Sequence, residues 1–328
     1  MKEILEYLFT HHTLSKSEAK AIMIEIAQNK FNTAEVTSFI SVFLMRNITL
    51  NELDGFRQAL LKMAVPIEID ASDALDIVGT GGDGKNTINI STLAAFVIAG
   101  AGQKVTKHGN YGASTITGSS NVLEELGYQF HNDSNSLNQD LEKANICFLH
   151  APYFHPALQS VGALRKSLGL RTFFNLLGPL VNPARPQFSV IGVYNLEIAR
   201  IYQYLLQKDN REFTIVHGLD GYDEISLTSD SKIITKNSEE IYTTKDLGFN
   251  SLDPLSIVAG GSPYESAKIF RNILEGNGTF EQNAVVTANA AVALQHTNKF
   301  GNYTNCLLLA QESLMSGKAL RSLNNLIH

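Results

Sequence analysis

The sequence predicts an α/β protein, with a small helical N-terminal domain ahead of a larger α/β domain on a central, mostly parallel sheet. Three observations carry that prediction. Residues 1–66 show helical periodicity only. From Ala74 onward, short apolar runs of strand length alternate with helical runs. The first of these runs ends in Gly79-Thr80-Gly81-Gly82-Asp83-Gly84, four glycines within six residues, and a helical run follows.

In the N-terminal block, Ile4, Leu5, Leu8 and Phe9 form one apolar face. Ser15-x-x-Glu18 reads as a capping box ahead of Ala19, Ile22, Met23 and Ile26, and Thr49-x-x-Glu52 as another ahead of Leu53, Phe56, Leu60 and Leu61. Phe39, Ile40, Phe43 and Leu44 repeat the pattern between them, and Pro66 ends the block. Four short helices with such apolar faces need a surface to pack against. The α/β part offers strands at 75–78, 104–106, 146–149, 188–194 and 213–217, with helices at 93–99, 122–126 and 196–207 between them. Ligands of such sheets sit beyond the carboxyl ends of the strands. Gly79, Lys107 and Gly218 each come just after a predicted strand. Ser262-Pro263-Tyr264-Glu265 opens a helical C-terminal part, with helices at 280–294 and 304–315.

Composition narrows the function. The chain has 328 residues, 44% hydrophobic and 18% charged, enough for a large core in two domains. A net charge of −6 argues against a nucleic-acid binder working through bulk electrostatics. Cys147 and Cys306 lie in apolar contexts without metal spacing, so they read as buried thiols of a reducing cytoplasm. The N-terminus has no apolar core of signal-peptide length, and no apolar run nears the roughly 18 residues of a membrane span. The expectation is a cytoplasmic protein with no membrane partner.

Four polar constellations carry chemistry. In the first, Gly79 to Gly84 leads through Thr87, Asn89, Ser91 and Thr92 into an apolar helix. Strand, glycine turn and helix start together make an anion site, because the unpaired N–H groups and the helix dipole both favour negative charge. The stretch is not a P-loop, since Asn86 follows Gly84-Lys85. It also departs from a dinucleotide fingerprint, since Asp83 would set a carboxylate beside the pyrophosphate. Asp83 suggests a sugar hydroxyl or a metal-bridged phosphate instead. In the second, Lys107-His108-Gly109-Asn110 runs into hydroxyls at Ser114, Thr115 and Ser119, a second phosphate loop or a solvated surface loop. The third holds His155, Arg165 and Arg171 ahead of Gly178-Pro179-Leu180-Val181-Asn182-Pro183, where Arg165 is either a carboxylate clamp or a surface arginine. In the fourth, Asp223-Glu224 closes an oxygen-rich loop suited to Mg²⁺.

Together, Gly79-Thr80-Gly81-Gly82-Asp83, Asn89-Ile90-Ser91-Thr92, Lys107-His108-Gly109-Asn110, the Gly178 segment and Asp223-Glu224 resemble the anthranilate phosphoribosyltransferase family, in its order. The helical N-terminal block and Ser316-Gly317-Lys318-Ala319-Leu320 are also similar, so the resemblance covers nearly the whole chain. It implies transfer of a phosphoribosyl group from 5-phosphoribosyl 1-pyrophosphate to anthranilate in tryptophan biosynthesis, on a nucleoside phosphorylase/phosphoribosyltransferase-like fold. It also implies a homodimer formed through the helical domain, and an active site at the hinge between domains. Residues 1–70, joined by part of about 163–182, would be the helical domain, and 71–328 the phosphoribosyl-pyrophosphate-binding domain.

Carried over by position, Gly79, Gly82, Asp83, Thr87, Asn89, Ile90, Ser91, Thr92, Lys107, Thr115 and Ser119 would hold the sugar phosphate. Ser91, Asp223 and Glu224 would ligate Mg²⁺; Gly79, Asn110, His155, Arg165 and Gly178 would form the anthranilate site. No general base is implied, with Asn110 and Arg165 acting by orientation. The family often has arginine at Tyr111, lysine at Ile116 and aspartate at Asn121. A pyrimidine nucleoside phosphorylase is the nearest rival enzyme, though phosphate alone would not call for Asp223-Glu224. A nucleic-acid-binding relative would be basic and lack that pair.

Overall fold

The computed structural model describes residues 1–112, 115–209 and 211–328. The chain forms two compact units, one of Met1–Pro66 with Ala151–Pro183, the other of Ile67–His150 with Ala184–His328.

The first unit is helical. Helices Lys2–Phe9, Lys16–Ala27, Thr33–Met45 and Leu50–Met63 make up its N-terminal part. Both expected capping boxes form, and a third, Asn32 with Glu35, opens Thr33–Met45. Asn was not read as a cap in the sequence, although its side-chain oxygen serves as well as a hydroxyl. Phe39, Phe43 and Phe56 close around Phe173 from the second segment, with Phe56 and Phe173 stacked at 4.8 Å. The buried Glu52 carboxylate is satisfied by the Leu14 amide, Thr49 and the Arg46 guanidinium, the condition on which a charge is tolerated in a core.

Among the described residues, the second unit is built on one sheet of seven strands: β1 Leu75–Gly79, β2 Val105–Gly109, β3 Ile146–His150, β4 Phe188–Gly192, β5 Glu212–Gly218, β6 Ser231–Thr235 and β7 Glu239–Tyr242. Their order is β3-β2-β1-β4-β5-β6-β7. The first five are parallel, and β6 and β7 add antiparallel to the edge of β5. Strands β3 and β4 are nearly continuous apolar runs, as strands buried on both faces tend to be, whereas β2 carries Thr106, Lys107 and His108. Strands β6 and β7 were absent from the sequence reading. Glu239-Glu240-Ile241-Tyr242 is largely exposed, and pairing with β6 rather than side-chain burial holds it in place. The helix Ile90–Gly100 is almost wholly buried, and Phe280–His296 packs beside it.

The chain order around β1 fixes where a ligand can bind. From β1 the chain first winds outward through β2 and β3, then returns to place β4 on the other side of β1. The carboxyl ends of β1 and β4 therefore flank a topological switch point, the crevice where open α/β sheets take their ligands. Gly79 and Gly192 stand opposite each other there.

Candidate active site

Both strand ends at the switch point are glycine for a steric reason. A Cβ at Gly192 would overlap the backbone carbonyl of Asp223, and one at Gly79 would overlap the Asp223 carboxylate. The segment carrying Asp223 and Glu224 can therefore cross the β1–β4 crevice at backbone distance. Gly192 was missed in the sequence reading, because the predicted strand 188–194 ran past it, whereas the observed strand stops there.

The turn after β1 places Gly81, Gly82 and Gly84 at φ of 65°, 77° and 76°, a left-handed path that side chains resist. Asp83 Oδ1 accepts the Lys85 amide at 3.1 Å, an Asx-type turn that steadies the tip. Beyond it, Thr87 bridges to Val258, the Ile88 amide donates to Ile257 O, and the Ala259 amide donates to Asn86 O. The helix Ile90–Gly100 then begins, with Asn89 at its N-cap position and Ile90 and Thr92 buried.

Two amides of this turn meet the acidic pair. Gly81 N–H donates to Asp223 Oδ2 at 2.6 Å, and Ser91 N–H donates to Glu224 Oε1 at 2.8 Å. Glu224 thus occupies the anion position at a helix N-terminus, where the dipole favours negative charge. Lys85 Nζ lies 4.6 Å from the Tyr222 ring centroid, a further tie between the same two loops. Burial, followed by repulsion from the Asp83 carboxyl, pushes Asp223 up to about 7. Burial, Asp223 and Asp83 raise Glu224 as well. Among the described residues no group of three or more His, Cys, Asp or Glu side chains is arranged as a ready-made metal cage. The pair of buried carboxylates would still fit Mg²⁺, which is usually held by one or two carboxylates together with substrate phosphates. Crowded, buried carboxylates that are costly to ionise alone are the chemistry a divalent cation relieves.

Lys107 stands differently from the expectation. It is the third residue of β2, not a loop residue, and it is buried with Nζ donating to Ile77 O at 2.6 Å. Burial draws its pKa down to about 8, against the pull of Asp76 and Glu224. Gly79 and Gly218 likewise end β1 and β5 rather than follow them. The expected strand ends fell short because Lys-His-Gly reads as polar loop, while parallel pairing with β3 carries the strand through to Gly109.

The loop after β2 closes on itself. Asn121 Oδ1 accepts the amides of Gly112 and Gly118, each at 3.0 Å, and so ties the two ends of the loop. Asn110 O accepts from Ser120 N at 3.1 Å and from Ser119 Oγ at 3.4 Å. Thr115 Oγ1 donates to Thr117 O at 3.3 Å. Ser114, also expected as a hydroxyl donor, lies outside the described residues.

The remaining expected residues belong to the helical unit. His155 is buried, and its Nε2 donates to Val181 O at 2.8 Å; burial lowers its pKa, leaving the ring neutral at pH 7. Arg165, on the helix Gln159–Leu168, donates from Nη2 to Asn175 Oδ1 at 3.3 Å, with its guanidinium 5.4 Å from the Phe174 ring centroid. Burial lowers its pKa, yet a guanidinium stays charged at neutral pH. A Cβ at Gly178 would meet no atom within 4 Å, so this glycine borders open space.

Residues 71–320 match the glycosyl transferase family a/b domain, and residues 2–64 match the helical bundle domain of the same family. Anthranilate phosphoribosyltransferase of Flavobacterium johnsoniae is 52% identical over 99% of this chain and 98% of its own. The enzyme of that name from Bacteroides thetaiotaomicron is 50% identical over 100% of this chain and 98% of its own. Among solved structures, anthranilate phosphoribosyltransferase of Thermus thermophilus superposes with a TM-score of 0.90 at 30% identity, covering 98% of each chain. The Saccharomyces cerevisiae enzyme, in complex with PRPP and Mg, gives 0.88 at 27% identity over 98% of this chain and 95% of that one.

Proposed function

We infer the reaction from family membership: the chain belongs to the anthranilate phosphoribosyltransferase family of glycosyl transferases. It transfers the phosphoribosyl group of 5-phosphoribosyl 1-pyrophosphate to the amine of anthranilate, releasing pyrophosphate, a step of tryptophan biosynthesis. The observation that carries this reading for the site is the meeting of the β1 turn with Asp223 and Glu224 at the switch point.

In our assignment, the sugar phosphate takes the turn from Gly79 to Thr92, with Gly82, Asp83, Thr87, Asn89 and Ile90 along it, together with Lys107 of β2 and Thr115 and Ser119 beyond that strand. Ser91, Asp223 and Glu224 hold Mg²⁺, which when bound neutralises charge on the departing pyrophosphate. The amides of the turn and the start of Ile90–Gly100 add fixed positive potential where negative charge develops. Lys107 adds a cation from the sheet interior. Asn110, His155, Arg165 and Gly178 take anthranilate, with Arg165 suited to its carboxylate. An aromatic amine is already neutral at pH 7, so orientation rather than proton abstraction is the task of these residues. The exposed apolar side chains Phe9, Leu44 and Met45 of the helical unit support a homodimer. Cys147 and Cys306, both buried thiols, are in keeping with a cytoplasmic setting. Among the described residues no helix is long and apolar enough to cross a membrane.

The test is loss of anthranilate fluorescence. We expect it only when 5-phosphoribosyl 1-pyrophosphate and Mg²⁺ are both present. Phosphorolysis of thymidine or uridine without that loss would overturn the reading in favour of a nucleoside phosphorylase.

A further inference from the structure

We propose that Tyr111 is a positioning residue for the acceptor substrate, holding the Asn110 carboxamide so that its Nδ2–H group, not its oxygen, faces the carboxylate of anthranilate. This rests on the assignment of Asn110 to anthranilate given above.

The polarity of Asn110 follows from its neighbour. The Tyr111 backbone N–H lies 2.7 Å from Asn110 Oδ1, and a backbone N–H can only donate. The atom facing it is therefore the carboxamide oxygen. Nδ2 points elsewhere and, among the described residues, has no hydrogen-bond partner. Asn110 is exposed, so this group is available to a ligand. An NH₂ group offers donors only, which suits a carboxylate. Donation to the substrate amine would instead engage the lone pair that must attack the sugar.

What fixes the direction of that Tyr111 N–H is the Tyr111 ring. It meets His150 edge-on, with centroids 5.0 Å apart and planes at 82°. His150 is stacked on Phe130 at 4.2 Å and 11°, and its Nδ1 pairs with Ser120 Oγ at 2.9 Å. His150 also ends β3, in register with Gly109 of β2. The ring thus rests on the rigid end of the sheet, and the backbone between Gly109 and Gly112 is held from that side. The Asn121 carboxamide holds it from the other, through the Gly112 amide. Where the family often carries arginine, this chain uses a neutral aromatic contact for anchorage.

Michaelis constants for both substrates test this in Tyr111→Ala, Tyr111→Phe and Asn110→Asp, with Arg165→Ala as a separate probe of the acceptor site. Tyr111→Ala should raise the anthranilate KM about two- to tenfold, the worth of an aromatic pair, and leave that of the sugar phosphate unchanged. Tyr111→Phe should restore it to within about twofold, since the Tyr111 hydroxyl reaches Glu124 only at the 3.5 Å limit. Asn110→Asp keeps the oxygen that Tyr111 needs but turns the donor into a carboxylate. It should raise the anthranilate KM about ten- to a hundredfold, the scale of a charge-assisted hydrogen bond. Equal rises in both KM values on Tyr111→Ala would mean a merely structural role and overturn the proposal. An unchanged anthranilate KM in Asn110→Asp would overturn it as well. If Arg165→Ala raises that KM while the other variants do not, the acceptor assignment stands and this inference falls. If none of the four moves it, the acceptor assignment falls too.

Discussion

The glycine-rich turns after β1 and β2 look alike in sequence, yet they are held by opposite means. The first is tied to a distant segment by charge: Gly81 and Ser91 donate to Asp223 and Glu224, 142 and 133 residues away. The second is closed locally by neutral groups, with Asn121 accepting from both of its ends and Tyr111 resting on His150. The difference teaches what each turn depends on. The first needs a partner whose buried carboxylates are costly to ionise without a cation. The second is complete in itself and should be indifferent to metal.

The largest expected effect breaks the first tie. Asp223→Asn combined with Glu224→Gln keeps side-chain acceptors for the two amides but removes the charge. Turnover should fall on the order of 10³-fold or more, measured by anthranilate fluorescence at saturating Mg²⁺. Gly192→Ala attacks the same crossing sterically. Its Cβ meets a backbone carbonyl that cannot swing aside, so a loss of about 1–3 kcal/mol is expected in urea unfolding, with the slope unchanged.

The second turn is sharpened by pH. Burial holds His150 down to about 4, so the folded ring stays neutral while the unfolded chain binds a proton near 6.5. Its contribution is present above the unfolded value and lost as pH falls from 6.5 towards 4, by at most about 1.4 kcal/mol per unit. Urea unfolding at pH 7 and pH 5 should show this slope, and His150→Gln should flatten it. The smallest effects concern Asn121. Asn121→Ala leaves two amides without their acceptor and should cost about 1–2 kcal/mol. Asn121→Asp keeps the oxygen and should stay within about 0.5 kcal/mol, by thermal unfolding.

The parallel strands and the helices of the first unit were legible because burial writes a pattern into the chain. Apolar runs marked β1, broken only by Asp76, and β3, and capping boxes marked Lys16–Ala27 and Leu50–Met63. Strands β6 and β7 carry too little apolar alternation, because pairing, of β6 to β5 and of β7 to β6, makes them strands. The β1 turn announced itself through its glycines, since left-handed backbone demands that residue type. That Asp223 would cross over Gly192 could not be read, because nothing local to either residue encodes a contact between them. Lys107 was legible as a cation but not as a buried one: polar neighbours disguised a strand interior. Arg165 and His155 stood out as a polar constellation, but their spacing is ordinary, and only resemblance assigned them to anthranilate.

The central claim is that charge at Asp223 and Glu224, not the shape of the β1 turn, makes the sugar-phosphate site. Calorimetric titration of 5-phosphoribosyl 1-pyrophosphate, with Mg²⁺ and with chelator, tests it on the unaltered chain and on Asp223→Asn/Glu224→Gln. The account predicts Mg²⁺-dependent binding to the unaltered chain and loss of that dependence in the variant. Equal Mg²⁺-dependent affinity in both would contradict it.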